Sequence, residues 1–343
     1  MKAVVKTERG EGHVSVLDVP EPKARPGHVI LEVAATGVCG TDIHIFHDEY
    51  PYNTPVVLGH ETSGRVVEVG DGVTRVRLGD EVTTETFYYT CGKCISCRTG
   101  QPNLCPDRKS IGSHVNGAMT KYVEVPEQNC HILPPGVDLL SASITEPLAC
   151  CVNGILLRGG VLPGDVALIS GPGAIGQFAA QVARAAGART IVCGITGDER
   201  RLEIARELGA DFVVNALKDD LKGLIADLTA GRGADVTIEC AGAGPSLIQC
   251  LEQVRKGGTV IQMGLYGKPV TVNPDLITLK EVKYSGSFSH VPAAWPRALR
   301  LMAEGKVRAK PLITRQAPIT EWDSAFAAFN ARSECKIVVT PVG

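Results

Sequence analysis

The sequence lacks any long hydrophobic run. No segment reaches the roughly 18 apolar residues that a membrane-spanning helix requires. Polar side chains interrupt even the most apolar region, residues 165–195, at Gln177, Gln181, Arg184 and Arg189. The N-terminal hexapeptide MKAVVK also lacks the apolar core of a secretion signal. We therefore expect a cytoplasmic protein that has no membrane partner.

Blocks of like charge are missing as well. The 35 Lys and Arg residues nearly balance the 37 Asp and Glu residues, which leaves a formal net charge of -2. This pattern offers no electrostatic attraction to nucleic acid, so we expect no nucleic-acid partner. Hydrophobic residues make up 44% and charged residues 21% of the chain, as is typical of globular proteins. The length of 343 residues predicts two domains.

Twelve cysteines are present, but their arrangement does not indicate a disulfide-stapled protein, which is usually smaller and carries a secretion signal. Four of them lie between Cys91 and Cys105. Others lie within apolar segments: Cys150, Cys151, Cys193, Cys240 and Cys250. We predict metal binding for the first group and buried free thiols for the second.

Two kinds of secondary-structure pattern divide the chain. The first 150 residues contain short β-branched runs separated by Gly and Pro, which indicates a mostly β domain. From residue 151 to 288, strand-like runs such as Val166–Ser170 alternate with helix-like runs such as Glu199–Leu208. That alternation predicts an α/β domain with a parallel sheet and helices on both faces. The strand-like Lys336–Val339 can then rejoin the first domain.

A glycine-rich turn follows the first of these strand patterns and opens a helix pattern. In Gly171-Pro-Gly-Ala-Ile-Gly, Gly171 permits a tight turn, Gly173 lets the backbone approach a pyrophosphate, and Gly176 lets the helix pack on the strand. The first helical residues, Ala174 and Ile175, offer free N–H groups to the phosphates. The turn predicts a dinucleotide site.

The residues that would bind the adenine ribose are less usual. An acid is expected roughly 20 residues after the turn, but Thr196 stands there. Arg200 and Arg201 can instead hold a 2′-phosphate, which favours NADP over NAD. Two alternatives stay open: Asp198 can reach the ribose, and an arginine can stack on adenine.

Two groups of residues have the chemistry of zinc ligands. Cys91, Cys94, Cys97 and Cys105 form a C-x2-C-x2-C-x7-C pattern, and four thiolates close a tetrahedral shell as in structural zinc sites. An iron–sulfur cluster and a redox dithiol are the alternatives. A proline follows Cys105, as in some clusters, but the usual closing spacing of a cluster differs. The second group is dispersed. Its candidates are Cys39, Asp42, His44, His60, Glu61 and Glu146, and Asp42 can equally be a cap or an acceptor behind a ligand.

Six ordered motifs resemble the zinc-containing medium-chain dehydrogenase/reductase family, in its sorbitol (polyol) and threonine dehydrogenase branch. They are CGTDIH at 39–44, GHETSG at 59–64, the four-cysteine segment at 91–105, EPLA at 146–149, GPGAIG at 171–176 and GSFS at 286–289. The resemblance implies a GroES-like, mostly β catalytic domain over 1–150, completed by 289–343. It also implies a Rossmann dinucleotide-binding domain over 151–288.

The resemblance further implies roles for single residues. Cys39, His60 and Glu61 match catalytic-zinc ligands, and Glu146 matches an acid that approaches the zinc directly or through water. Thr41 and His44 match a relay that moves the alcohol proton towards solvent. The residues that match a wall beside the nicotinamide are Met263, Gly264, Leu265 and Phe288. One catalytic and one structural zinc per chain, NAD(P)+ and a homodimer or homotetramer are implied with them.

The resemblance predicts oxidation of a secondary alcohol, polyol or sugar-like, by hydride transfer to NAD(P)+. Polyol dehydrogenases commonly carry Arg-Tyr after the Phe of the GxF motif, where this chain has Ser289 and His290. Threonine dehydrogenases typically carry EPFG rather than EPLA, so a polyol-like substrate fits better than threonine. A threonine or butanediol-type dehydrogenase is the alternative within the family. A zinc-free reductase and a non-catalytic coenzyme-binding scaffold are alternatives that fit the retained ligands poorly.

Overall fold

The computed structural model describes residues 1–342. Its strands are β1 (Lys2–Lys6), β2 (Val14–Asp18), β3 (His28–Gly37), β4 (Val56–Val57), β5 (Glu61–Val69), β6 (Glu81–Thr84), β7 (Phe87–Tyr89), β8 (Lys109–Ser110), β9 (Tyr122–Pro126), β10 (Cys130–Ile132), β11 (Val166–Ser170), β12 (Arg189–Gly194), β13 (Phe212–Asn215), β14 (Ala234–Glu239), β15 (Val254–Gln262), β16 (Lys283–Gly286), β17 (Ile313–Pro318) and β18 (Lys336–Thr340). Its α-helices are α1 (Gly40–Phe46), α2 (Ile95–Arg98), α3 (Leu139–Ala142), α4 (Thr145–Val152), α5 (Ala174–Ala185), α6 (Glu199–Glu207), α7 (Leu221–Thr229), α8 (Gly244–Gln253), α9 (Asp275–Thr278), α10 (Trp295–Ala303) and α11 (Trp322–Asn330).

The chain forms two compact units. Unit 1 contains residues 1–146, 291–303 and those from 313 onward, and unit 2 contains residues 147–290 and 304–312. The short segment 304–312 returns to unit 2, where the side-chain oxygen Oε1 of Gln181 accepts a hydrogen bond from the Arg308 amide at 2.8 Å.

Unit 1 is mostly β. Its largest sheet has the order β10-β6-β5-β3-β18-β17, with β9 also paired to β3, and a smaller sheet has the order β2-β1-β4. Apolar residues fill two buried clusters. One, around Val38, Leu58 and Phe326, combines residues of strands, helices and loops, and the other, around Leu31 and Val82, is built mainly from strand residues. Strand β18 pairs antiparallel with β3. The expectation that the C-terminal strand rejoins the first β-rich region is therefore confirmed.

Unit 2 is built on a parallel sheet with the order β13-β12-β11-β14-β15-β16. This order, 3-2-1-4-5-6 in chain sequence, is that of the doubly wound Rossmann fold. Every residue of the central β11 is buried, as expected for a parallel strand covered on both faces. The predicted α/β class is confirmed. The strand order reverses beside β11, which is where such folds bind dinucleotides, beyond the carboxyl ends of the strands.

None of the helices among residues 1–342 combines the length and the hydropathy that crossing a bilayer requires.

Candidate functional site

Three side chains with metal-binding chemistry converge in unit 1. Cys39 is the N-cap residue of α1, whereas Glu61 begins β5 and His60 directly precedes it. The Cys39 thiol, an imidazole nitrogen of His60 and a carboxylate oxygen of Glu61 all lie within 4.8 Å of one another. His60 and Glu61 are buried, so their polar atoms have little access to water.

Asp42 joins the two segments that carry these side chains. Its Oδ2 accepts a hydrogen bond from the Cys39 amide at 2.9 Å, and its Oδ1 accepts one from the Gly59 amide at 3.3 Å. Oδ1 also lies 3.8 Å from Nδ1 of His60. Asp42 is completely buried, and burial raises the pKa of its carboxyl. Its contacts are those of a cap on α1 and of an acceptor behind His60.

Lys336 reaches the same cluster and was not identified from the sequence. Its Nζ donates to Oε1 of Glu61 at 2.7 Å and to the Val38 carbonyl at 2.9 Å, and lies 2.6 Å from Oε2 of Glu61. Gly37 is paired with Glu61 across the sheet, and a Cβ atom at Gly37 would lie 2.3 Å from the Glu61 carboxylate. A side chain at position 37 would therefore displace the Glu61 carboxylate from its position beside Lys336. The only sequence signal for Lys336 is a lysine at the head of an apolar strand.

We expect Lys336→Met to lower the free energy of unfolding of unit 1 by about 3 kcal/mol, because the variant leaves the Glu61 carboxylate buried without its cation. Both tryptophans, Trp295 and Trp322, lie in unit 1, so tryptophan fluorescence during urea denaturation measures its unfolding. The double variant Lys336→Met, Glu61→Gln should recover much of the loss. Wild-type stability of Lys336→Met alone would contradict the importance of this ion pair.

The cluster fits a divalent cation. Burial opposes the charged imidazolium of His60, but Cys39, Asp42 and Glu146 outweigh it and hold the pKa of His60 well above its usual value. These acidic neighbours therefore favour positive charge, part of which the Lys336 ammonium supplies at Glu61. Thiolate, imidazole and carboxylate are the donor types of catalytic zinc sites. Glu146, in α4, is buried and acts on His60 through its charge. It does not belong to the group of three within 4.8 Å.

The two relay candidates lie on α1. Oγ1 of Thr41 is 3.8 Å from the Cys39 sulfur, so this hydroxyl lies at the edge of the cluster. His44 is one turn further, its Nδ1 is 2.8 Å from Oε2 of Glu49, and its side chain is 35% exposed. Helical spacing places both residues on one side of α1, from the cluster towards water.

The four-cysteine segment forms a second metal-binding group. The sulfurs of Cys91, Cys94, Cys97 and Cys105 lie within 4.8 Å of one another. Backbone amides donate to these sulfurs, for example from Cys94 to Cys91 at 3.3 Å. The amides of Cys94 and Lys93 lower the pKa of the Cys91 thiol to about 7. Four thiols with that support match the donor set of a closed structural zinc site.

The glycine-rich turn has the geometry of a pyrophosphate site. Gly171 has a φ of +106°, and a Cβ atom there would lie 2.7 Å from the Ala241 amide nitrogen. A Cβ atom at Gly176 would lie 1.8 Å from the Gly171 carbonyl oxygen, so both positions require glycine. Gly173 is the N-cap of the 12-residue α5 and has nothing within 4 Å of its Cβ position. The first backbone N–H groups of α5, those of Ala174 and Ile175, thus lie next to this open space.

The predicted ribose-binding segment follows β12. The side chain of Thr196 accepts a hydrogen bond from Nδ2 of Asn215 at 3.3 Å. Asp198 accepts from the Ile195 amide at 3.1 Å and pairs with Arg201 at 3.2 Å, and both members of this pair are mostly buried. Arg200 is 64% exposed, and its ion pairs with Glu203 and Glu207 lie at the surface. Asn215, the hydrogen-bond partner of Thr196, was not identified from the sequence.

The remaining coenzyme candidates lie at the carboxyl ends of β15 and β16. Met263 and Gly264 follow β15, and their amides donate to the Glu239 carbonyl at 2.9 and 3.1 Å. Leu265 is 61% exposed, and Phe288, after β16, is 39% exposed. The structure thus gathers these four residues at the sheet edge where β14, β15 and β16 end.

Glu239, at the end of β14, was also missed from the sequence. It is completely buried, and its Oε1 accepts hydrogen bonds from the amides of Ala241 and Gly242 and from the Ser246 hydroxyl, at 2.7–3.0 Å. Its Oε2 accepts one from the Tyr266 hydroxyl at 3.0 Å. One carboxylate therefore fixes the loops after β14 and β15.

Comparisons with known proteins identify the family of the chain. Residues 25–135 match the alcohol dehydrogenase GroES-like domain family, and residues 174–304 match the zinc-binding dehydrogenase family. The chain is 44% identical to sorbitol dehydrogenase of Halalkalibacterium halodurans, over 100% of both chains. It is 42% identical to D-arabitol-phosphate dehydrogenase of Enterococcus avium, over 99% of this chain and 97% of the relative.

A solved structure shows the same fold. A zinc-binding dehydrogenase from Sinorhizobium meliloti, bound to NADP, superposes with a TM-score of 0.91 at 34% identity and covers 99% of each chain. The chain therefore belongs to the zinc-dependent medium-chain dehydrogenase/reductase family, in its polyol and threonine dehydrogenase branch, and is an NAD(P)-dependent alcohol or polyol dehydrogenase.

Proposed function

We propose that this dehydrogenase oxidises a secondary alcohol group of a polyol or sugar-like substrate to a ketone, with NADP+ as the preferred coenzyme. The observation that carries the proposal is the convergence of Cys39, His60 and Glu61 in a buried cluster that favours a cation. A zinc-free reductase or a coenzyme-binding scaffold would not need such a donor set.

We assign the catalytic zinc to Cys39, His60 and a glutamate, either Glu61 or Glu146, and the structural zinc to the four-cysteine segment. When bound, the catalytic zinc supplies Lewis acidity that lowers the pKa of the alcohol, and the nicotinamide supplies the hydride acceptor. We assign the catalytic domain to residues 1–150 with 289–343, apart from the segment 304–312 that belongs to unit 2, and the coenzyme domain to residues 151–288.

The residues of α1 provide a path for the alcohol proton. The Thr41 hydroxyl, beside Cys39, can accept that proton and pass its own to His44. If Nδ1–H of His44 donates to Glu49, Nε2 is left as the free acceptor nitrogen. The partial exposure of the His44 side chain then allows release of the proton to water. This arrangement suits general-base catalysis near neutral pH.

Two observations support NADP over NAD. Asp198 is engaged by Arg201 and by the Ile195 amide, so its carboxylate is less available to ribose hydroxyls. Arg200 is exposed and can meet a 2′-phosphate. We expect Arg200→Ala to raise KM for NADP+ about tenfold, the value of a lost charged hydrogen bond, with little change in KM for NAD+. Equal changes for both coenzymes in initial-rate assays would contradict the assignment.

The substrate class is tested by comparing kcat/KM for NAD+ and NADP+ across a panel of polyols, polyol phosphates, inositols, sugars, threonine and butanediol. The proposal expects the highest value for a polyol or sugar-like compound. A preference for threonine or butanediol would instead identify the chain as a threonine or butanediol dehydrogenase. No turnover with any alcohol, despite bound zinc and coenzyme, would favour the scaffold.

We also propose a homo-oligomer, a dimer or a tetramer. Strand β16 ends the sheet of unit 2, and its residues Lys283, Tyr284 and Gly286 are exposed. An exposed sheet edge is usually covered or protected, and a second copy of the chain would cover it symmetrically. Light scattering coupled to size-exclusion chromatography measures the mass, and a monomer would contradict the proposal.

A further inference from the structure

The segment after α4 has an unusual backbone. Asn153–Gly159 forms a π-helical turn, a conformation that is rare and often found at functional sites. Within this turn, a Cβ atom at Gly154 would lie 3.1 Å from Oγ of Ser287 and 3.3 Å from the sulfur of Met263. The turn therefore packs, inside unit 2, against the residues that follow β15 and β16.

Asn153 makes a specific contact with the second of these segments. Its side chain is buried, and Nδ2 donates to the Ser289 carbonyl at 2.9 Å. Ser289 has a φ of +59°, in the left-handed region that costs a non-glycine residue about 1 kcal/mol. Such a conformation persists only where neighbouring contacts hold it. The hydrogen bond from the side-chain amide of Asn153 to the Ser289 carbonyl is such a contact.

The segment held in this way contains two side chains that suit a ligand. The Ser287 amide continues the strand pairing of β16 by donating to the Gln262 carbonyl at 2.9 Å. Oγ of Ser287 is buried and has no hydrogen-bond partner among residues 1–342, which is uncommon for a buried hydroxyl. Next to it, the ring of Phe288 is partly exposed. A ligand with a polar group and a flat ring could hydrogen-bond to Oγ of Ser287 and pack against the ring of Phe288.

The position of the segment within the sheet identifies this ligand. In a doubly wound sheet each half binds one nucleotide of a dinucleotide. The glycine-rich turn after β11 and the ribose-binding segment after β12 place the adenosine half over β11–β13. The nicotinamide half then falls to the ends of β14–β16, where Ser287 and Phe288 lie.

We propose that Asn153 is a positioning residue for the nicotinamide end of the coenzyme site. Its hydrogen bond to Ser289 holds that residue in the left-handed conformation, which fixes Oγ of Ser287 and the ring of Phe288 for the nicotinamide. The inference rests on the proposed location of the coenzyme in unit 2. The new element is Asn153, which lies more than a hundred residues before the loop that it positions.

The test compares two probes on the variants Asn153→Ala, Ser289→Gly and the double variant. NADPH carries the nicotinamide, whereas 2′-phospho-ADP-ribose lacks only the nicotinamide ring and keeps the adenosine, the pyrophosphate and the second ribose. Asn153→Ala should weaken NADPH binding about fivefold, which is the value of one lost hydrogen bond, and leave binding of the second probe unchanged. Glycine adopts a positive φ freely, so Ser289→Gly should restore most of the NADPH affinity in the Asn153→Ala background.

A purely structural role for Asn153 would change the affinity for both probes together and would not be rescued by Ser289→Gly. Either result overturns the inference. If Asn153→Ala does not fold, the variant Ser289→Val is tested instead, since a β-branched residue disfavours positive φ. This variant should show the same selective loss of NADPH affinity, and unchanged affinity would count against the inference.

The variant Gly173→Asp separates this inference from the proposed coenzyme site. The Cβ position of Gly173 is open, so the change creates no clash within the protein, but its carboxylate repels phosphate. Normal NADPH binding by Gly173→Asp would refute the coenzyme site itself. Loss of binding there, together with an unchanged ratio of the two probe affinities in Asn153→Ala, would refute only the role of Asn153.

Discussion

Replacing Cys39 with serine should lower kcat/KM for alcohol oxidation at least about 10³-fold. A serine hydroxyl is a poor substitute for a thiolate in a zinc site, and Lewis acidity from zinc is worth several kcal/mol, which corresponds to about three powers of ten in rate. Initial rates of coenzyme reduction with the best substrate of the panel measure the effect. Near-normal turnover by the variant with the catalytic zinc absent would refute the mechanism.

A matched substitution shows that loss of a buried thiol is not itself the cause. Cys130 is buried in unit 1, in the cluster around Leu31 and Val82, and its sulfur contacts the Pro126 carbonyl. Cys130→Ser should therefore keep most of the activity. His60→Ala should behave as Cys39→Ser does, because it removes another donor of the same group.

Replacing Cys94 with serine should instead act on stability, lowering the free energy of unfolding of unit 1 by at least about 3 kcal/mol. The segment 91–105 has little core of its own: α2 contains no buried residue, and Ile95 and Leu104 are largely exposed. A segment without a core depends on bound metal for its structure. Tryptophan fluorescence during urea denaturation reports unit 1, where both tryptophans lie.

Ile95→Ser is the control for this segment, since it changes an exposed neighbour of Cys94 without touching a sulfur. It should leave the unfolding curve nearly unchanged. Serine at position 94 can still accept the hydrogen bond that Cys94 accepts from the Cys97 amide as N-cap of α2, so a lost cap does not account for the effect. A stable, fully folded Cys94→Ser protein that lacks one zinc would contradict the structural assignment.

The parts of the site that composition and spacing alone predicted are those whose geometry is set locally, whereas the dispersed group of Cys39, His60 and Glu61 was assigned through the family resemblance. The turn from Gly171 to Gly176 fixes its own backbone, and the spacing of the cysteines from Cys91 to Cys105 lets their sulfurs converge within one short segment. The alternation of strands and helices likewise predicted the parallel sheet of unit 2, because hydrophobic periodicity is a property of each segment alone.

The contacts that the sequence did not reveal join residues far apart in the chain. Lys336 and Glu61 meet only because β18 and β5 both pair with β3, and Asn153 meets Ser289 only after unit 2 has folded. A lysine and an asparagine have many roles in proteins, so nothing in their immediate sequence marks these partners. Asp198 and Arg201 differ from these pairs because they lie only three residues apart. Each of them could also have contacted the coenzyme, so the sequence left their pairing open.

The most direct test of the account measures zinc content and alcohol-dependent coenzyme reduction on the same preparations of wild type, Cys39→Ser and Cys94→Ser. The two donor groups of the structure predict two zinc ions per chain and turnover for the wild type. They predict one zinc without turnover for Cys39→Ser, and for Cys94→Ser loss of the other zinc with reduced stability. Wild-type turnover without zinc, or undiminished turnover by Cys39→Ser holding one zinc, would contradict the account.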